Sequence, residues 1–327
     1  MQTPMLKFIF YTLLILFGLL APLVVYPVFM MKLLCFALFA CAFNLLIGYT
    51  GLLSFGHAAF LGGAGYVSGY LMRDMFWSPE MGILAGTAFG AFIAWVMGSL
   101  AIRRQGIYFT MITLALSQML YFLWLQASFT GGEDGLQGVP RGQLLGFLDL
   151  NNDLTLYYTV LVIFLFGFGV IHRTIHSPFG HVLRAIKENE ARTISLGYDV
   201  NRYKLLVFVL SGALAGMAGA TKVLVLGFET LTDAHWSTSG LVVLMTLVGG
   251  LGTVLGPILG AFFIVLLENK MGEIGLAISQ ATGLEWFASL GESVTIVTGL
   301  IFVICVLMFR RGMVGELLHR TSIKGSP

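Results

Sequence analysis

His172, His176 and His181 fall within one short stretch, a density at which imidazoles begin to suggest a metal centre. No cysteine or carboxylate completes the set at a useful spacing, so no metal site is expected and the three rings fit solvated positions on a helix. The cysteines Cys35, Cys41 and Cys305 each sit inside an apolar run, where they pack as small hydrophobes, and no disulfide is inferred. Neither Gly-x-Ser-x-Gly nor His-Glu-x-x-His occurs, and the absence of any Gly-Lys dipeptide removes the Walker A loop that cradles phosphates. Catalysis is therefore unsupported, and this chain is expected to carry no cofactor; any ATP and Mg would have to be bound by another subunit. What remains is a set of polar side chains embedded in apolar runs: Asn44, Ser54, His57, Thr110, Thr113, Ser117, Gln118 and Thr246. Such groups either satisfy their own helices or offer transient hydrogen bonds to a solute. His57 alone among them is ionisable and no Asp, Glu, Lys or Arg is expected beside it, which argues against a carboxylate proton relay.

The elements that must position these groups follow from composition. Of 327 residues, 57% are hydrophobic and 10% charged, with a mean hydropathy of +0.90, against about 25% charged in a soluble domain. The chain is read as an integral membrane protein, an all-α polytopic bundle forming one transmembrane domain over 1–327. Its net charge of +2 gives no reason to expect nucleic acid. Apolar windows of span length fall at 8–26, 28–48, 52–72, 81–101, 106–126, 155–171, 205–226 and 290–309. The first is read as a retained span, since Lys7 alone precedes it and no small-residue cleavage site follows. The stretch 238–270 is apolar throughout but interrupted by Gly249, Gly250, Gly252, Gly256 and Pro257.

Charge decides how that stretch crosses, because Lys and Arg favour the cytoplasmic side. The segment 172–204 carries Arg173, Arg184, Lys187, Arg192, Arg202 and Lys204 and is placed inside. The acidic loop 127–154 and the turn holding Glu229 and Asp233 then fall outside. A single crossing at 238–270 would put the basic C-terminal tail outside, so two short crossings joined by a turn at 249–253 are expected. The outcome is about ten spans with short or broken helices, both termini cytoplasmic, in a bacterial inner membrane. Broken helices are tolerated only where protein or a water-filled cavity covers them.

Within 172–204, Ser177 suits an N-cap, Pro178 the first helical position and Gly197 a left-handed end. Between them Phe179, Val182, Leu183, Ile186 and Ile194 recur at helical spacing, predicting one amphipathic helix over 178–196. Its apolar stripe and charged flank suit either anionic lipid or docking to a soluble partner. Farther upstream, Gly51, Gly56, Gly62, Gly63, Gly65 and Gly69 give the third span a small-residue face for close packing, with a backbone break expected near 48–51. His57 follows that break, placed either to bond a neighbouring carbonyl at a kink or to face a pathway. Thr110, Thr113 and Ser117 share one face of their span, with Gln118 beside it.

Residues 44–63 (NLLIGYTGLLSFGHAAFLGG) resemble the signature of the permease subunits of branched-chain amino acid ABC transporters. The runs 129–138 (FTGGEDGLQG), 177–190 (SPFGHVLRAIKENE) and 248–257 (VGGLGTVLGP) agree in the same order. Residues 188–197 also resemble the Glu-Ala-Ala-x-x-x-Gly coupling motif of ABC importer permeases, with Arg192 and Thr193 departing from it. The resemblance implies a gate whose partners are a second, similar permease as hetero- or homodimer, two cytoplasmic ATP-binding subunits, a periplasmic solute-binding protein and membrane lipid. It implies Arg184, Glu188, Glu190, Ala191 and Gly197 as the coupling residues, and Asn44, Ser54, His57, Thr110, Thr113 and Gln118 as candidates for the pathway. Urea and short-amide permeases share these motifs, so the cargo stays open between them and branched-chain amino acids. An ion-coupled secondary transporter and a non-transporting scaffold are the competing readings.

Overall fold

A computed structural model describes residues 25–282, together with 18, 19, 21–23, 299, 300 and 303. The spans expected at 8–26 and 290–309, the basic tail and Cys305 lie largely or wholly outside the described residues. Five described helices are long and apolar enough to cross a membrane: α1 (Pro27–Thr50), α3 (Pro79–Ala101), α4 (Ile107–Gln126), α5 (Asp153–Ile175) and α8 (Val200–Leu226). Between the first two of these lies α2 (His57–Asp74), buried along most of its length. The remaining helices are α6 (Pro178–Glu188), α7 (Glu190–Ser195), α9 (Leu231–Ala234), α10 (Trp236–Gly249) and α11 (Gly256–Thr282).

The bundle is organised around α8, which packs against α1, α2 and α3. Small residues make the α3 contact possible: a Cβ at Gly90 would lie 2.6 Å from the Gly212 carbonyl, and one at Gly216 would lie 2.8 Å from that of Gly86. With little hydrophobic drive between helices in lipid, such backbone proximity is what supplies the van der Waals energy of association. α5 packs on the outer side of α1, and α10 and α11 pack together and against α1.

The expected break after the first described span is present. α1 ends at Gly51, whose φ of 75° is the left-handed conformation of a helix cap, and α2 begins only at His57. The third expected span therefore starts five residues later than its apolar window. The interruption in 238–270 falls at 250–255, but the two halves are unequal. α10 has 14 residues, about 21 Å at 1.5 Å per residue and short of a 30 Å core. α11 has 27 residues and runs on to Thr282, past the apolar stretch 238–270, so only one of the two halves expected to be short is short.

One further expectation needs correction. The 178–196 helix is two helices, because Asn189 takes an extended backbone and its side chain accepts from the Arg192 amide, capping α7. The fold is mostly helical, with two small antiparallel ladders of two residues a side beside the helices. β1 (Leu136–Gln137) pairs with β4 (Phe228–Glu229), and β2 (Gln143–Leu144) pairs with β3 (Leu148–Asp149). The first ladder ties the 127–154 loop to the segment following α8.

Candidate functional site

Breaking a helix strands backbone donors and acceptors that must find partners in an apolar interior. At 51–56 the partners come from α4 and α10. The Thr110 hydroxyl donates to the Leu53 carbonyl at 2.9 Å. Thr113 donates to the Thr110 carbonyl at 2.9 Å and accepts from the Phe55 amide at 3.2 Å. Ser239 donates to the Phe55 carbonyl and accepts from the Ala58 amide, both at 2.8 Å, while Ser54 accepts from the Gly56 amide at 3.1 Å. Three of the polar residues singled out from sequence thus hold one loop. Ser239 completes the set and was missed, because serine near a helix start carries no distinguishing pattern. Thr246 instead donates back to carbonyls of its own helix, at 3.0 Å and 2.9 Å.

At 250–255 the partner is Asn44. Its amide donates to the Thr253 carbonyl at 2.9 Å and accepts from the Gly252 amide at 2.9 Å, so one side chain pairs with the turn as a peptide group would. Gly48 lies against the same turn, since a Cβ there would meet the Gly252 nitrogen at 2.8 Å. The Gly48 carbonyl also accepts from Lys187 of α6 at 2.7 Å. A cation near the last carbonyls of α1 is favoured by the helix dipole, and this contact joins the 178–195 segment to both interruptions.

The expected coupling residues divide. The Arg184 guanidinium donates to the Ile175 carbonyl at 3.2 Å and lies 5.6 Å from the centre of the Tyr49 ring. Glu190 pairs at 2.7 Å with Lys204, which is 3% exposed. Both are turned into their own chain. Glu188, Ala191 and Gly197 are exposed, as are Ile194 and Leu196, so the outward surface is apolar near α7. Ile194 is consequently not part of the buried stripe, which consists of Leu183 and Ile186. Ser177 caps α6 and Gly197, at φ 89°, follows α7, as their residue types required.

His57 is fully buried, with Nε2 2.9 Å from the Ser211 hydroxyl, and Phe43, Phe60 and Phe208 surround its ring. Ser211 in turn donates to the Ala42 carbonyl at 2.6 Å, so the imidazole joins α1, α2 and α8. Ser117 Oγ and Gln118 Nε2 are buried with no hydrogen-bond partner among the described residues. They retain bonding capacity that Thr110 and Thr113 have spent.

One charged group was overlooked. Lys222, 3% exposed near the end of α8, lies 3.2 Å from Glu229 and 2.5 Å from Asp233. Glu229 is fully buried and the Asp233 side chain is 16% exposed. Lys222 lies inside the apolar window 205–226, where a single basic residue carried no pattern; β1 and the tight seat of Glu229 on Gly65 are what enclose the cluster. Burial pushes the Glu229 carboxyl well above the usual carboxylate range, with Lys222 only partly offsetting it and Asp233 adding to it. Burial acts the same way on Asp233, but the Lys222 ammonium and the Thr230 donors outweigh it and hold that group below its usual value. Beside α9 opens a cavity of about 380 Å³ lined by Tyr121, Leu125, Glu133, Leu231, Thr232 and His235.

The family model described as "Branched-chain amino acid transport system / permease component" matches residues 28–309. The chain is 27% identical over 256 residues to the high-affinity branched-chain amino acid transport system permease protein LivM of Escherichia coli, covering 70% of this chain and 59% of that protein. The Salmonella typhimurium LivM is 26% identical with the same coverage. The autoinducer 2 import system permease protein LsrC of Klebsiella pneumoniae is 30% identical over 197 residues, 58% of this chain and 53% of that protein. The chain thus spans less than two thirds of the length of these relatives. No solved structure matches it.

Proposed function

The chain belongs to the branched-chain amino acid transport permease family, and from that premise we propose that it is the membrane subunit of an ATP-driven importer for branched-chain amino acids. The single observation that carries this reading is the family match over 28–309, which takes in both interruptions and the 178–195 segment. In this reading the chain supplies the gate, and a second permease, two ATP-binding subunits and a solute-binding protein supply the rest. Urea or a short amide remains a cargo within the same reading. A second cargo, autoinducer 2, is favoured by the name of the LsrC relatives.

The lever is the 172–204 segment, with Glu188, Ala191, Gly197 and the apolar side chains of Ile194 and Leu196 as the docking face. Lys187 on the Gly48 carbonyl and Arg184 against the Tyr49 ring transmit its movement to α1, and Glu190 transmits it to α8 through Lys204. Asn44, Ser54, Thr110 and Thr113 hold the interruptions that the lever moves, His57 anchors α2 to α1 and α8, and Gln118 faces the pathway. A rigid element biased between two arrangements is sufficient for alternating access.

Proteoliposomes containing the chain, its partner permease, the ATPases and the binding protein should accumulate leucine only when ATP is supplied. Accumulation by the chain alone under an ion gradient would overturn the proposal in favour of a secondary transporter.

A further inference from the structure

The cluster of Lys222, Glu229 and Asp233 takes no part in that lever. One ammonium faces two carboxyls in a buried setting, and Glu229 Oε1 and the Tyr66 hydroxyl are buried without a hydrogen-bond partner among the described residues. Protein interiors seldom leave such groups unpaired. Gly65, next to Tyr66 on α2, lies against the Glu229 carboxyl, 2.6 Å from a Cβ built there, and Tyr121 and His235 of the cavity wall stack edge-on with their ring centres 5.2 Å apart. The turn between them is α9, which contains Asp233 and is seated on α2 at Gly62, where a Cβ would lie 2.6 Å from the Ala234 nitrogen. An open cavity and a buried set of charges of both signs are therefore separated by four residues of chain.

We propose that this cluster is a cargo-contact site for a zwitterion of the α-amino acid type, closed in this structure by pairing with itself. When α9 moves off α2, Lys222 receives the carboxylate, and Glu229 and Tyr66 accept from the ammonium. Leu125 and Leu231 of the cavity wall meet an alkyl side chain. The site rests on the importer reading and goes beyond it by naming the groups that recognise the cargo.

The test is leucine uptake by the full reconstituted importer carrying Glu229→Gln or Tyr66→Phe, with the yield of assembled complex measured alongside. Tyr66→Phe removes a hydroxyl that bonds nothing in the closed chain, so a purely structural role predicts wild-type uptake. The site predicts that each variant assembles normally and loses about tenfold or more in uptake rate, the size of one charge-assisted hydrogen bond. Wild-type rates in Tyr66→Phe overturn the site, and that variant decides the matter if Glu229→Gln fails to assemble. A wild-type complex that is assembled and hydrolyses ATP but carries no amino acid overturns the importer reading as well, and is distinguished by the wild-type measurement itself.

Discussion

Asn44 is the side chain on which most depends for its size. Asn44→Ala leaves the Gly252 amide and the Thr253 carbonyl without their partner, a loss of about 2–4 kcal/mol. Thermal unfolding in detergent should show it as a lowered midpoint. Glu229 yields a prediction of different sign. Its folded-state carboxyl titrates well above the usual carboxylate range because burial disfavours its charge, so the native chain holds a proton that the unfolded chain releases within that usual range. Stability associated with Glu229 is thus present at low pH and lost as pH rises through its folded value. Melting temperature should fall between mildly acidic and neutral pH by an amount that Glu229→Gln abolishes; identical pH profiles for the two proteins would contradict the buried carboxyl. At this scale the sequence was partly legible. Asn44, Thr110 and Thr113 stood out because polar groups in apolar runs need a reason, yet their partners were main-chain atoms of distant loops, which no spacing rule encodes.

The helices were legible where a local rule applied. Ser177, Pro178, Gly51 and Gly197 each mark a boundary through cap or turn chemistry, and each boundary is there. Asn189 was passed over because the apolar period runs through it, although asparagine prefers an N-cap to a helix interior. Asn189→Ala should fuse α6 and α7 into one helix and redirect Glu190 away from Lys204. Uptake should fall while ATP hydrolysis persists; unchanged coupling would mean that the break between α6 and α7 is unimportant. Close packing between α3 and α8 gives a further expectation. Gly216→Val drives a branched side chain toward the Gly86 carbonyl and the Gly90 Cα, at 2.8 Å and 3.0 Å from a Cβ, and overpacking of that kind costs about 1–3 kcal/mol. Lower yield of folded protein checks it.

Across the whole chain, the distribution of charge argues for an inside and an outside that helix geometry alone leaves open. Impermeant thiol labelling tests the assignment in a background lacking the three native cysteines. Leu145→Cys, on the exposed β2–β3 hairpin, should react in intact cells, and Leu196→Cys only after the membrane is permeabilised. The reverse pattern would invert the orientation and place the proposed ATPase docking face on the wrong side. Hydropathy made the long spans legible, but α2 required more, since its glycines serve contacts with α9 and β4 rather than a uniform apolar surface. Within about the last two turns of α1, Asn44 grips the 250–255 turn, Gly48 receives Lys187 and Gly51 opens the 51–56 loop. A stroke arriving at that single fulcrum would be shared by two hinges simultaneously, so the subunit needs only one point of mechanical input to work both.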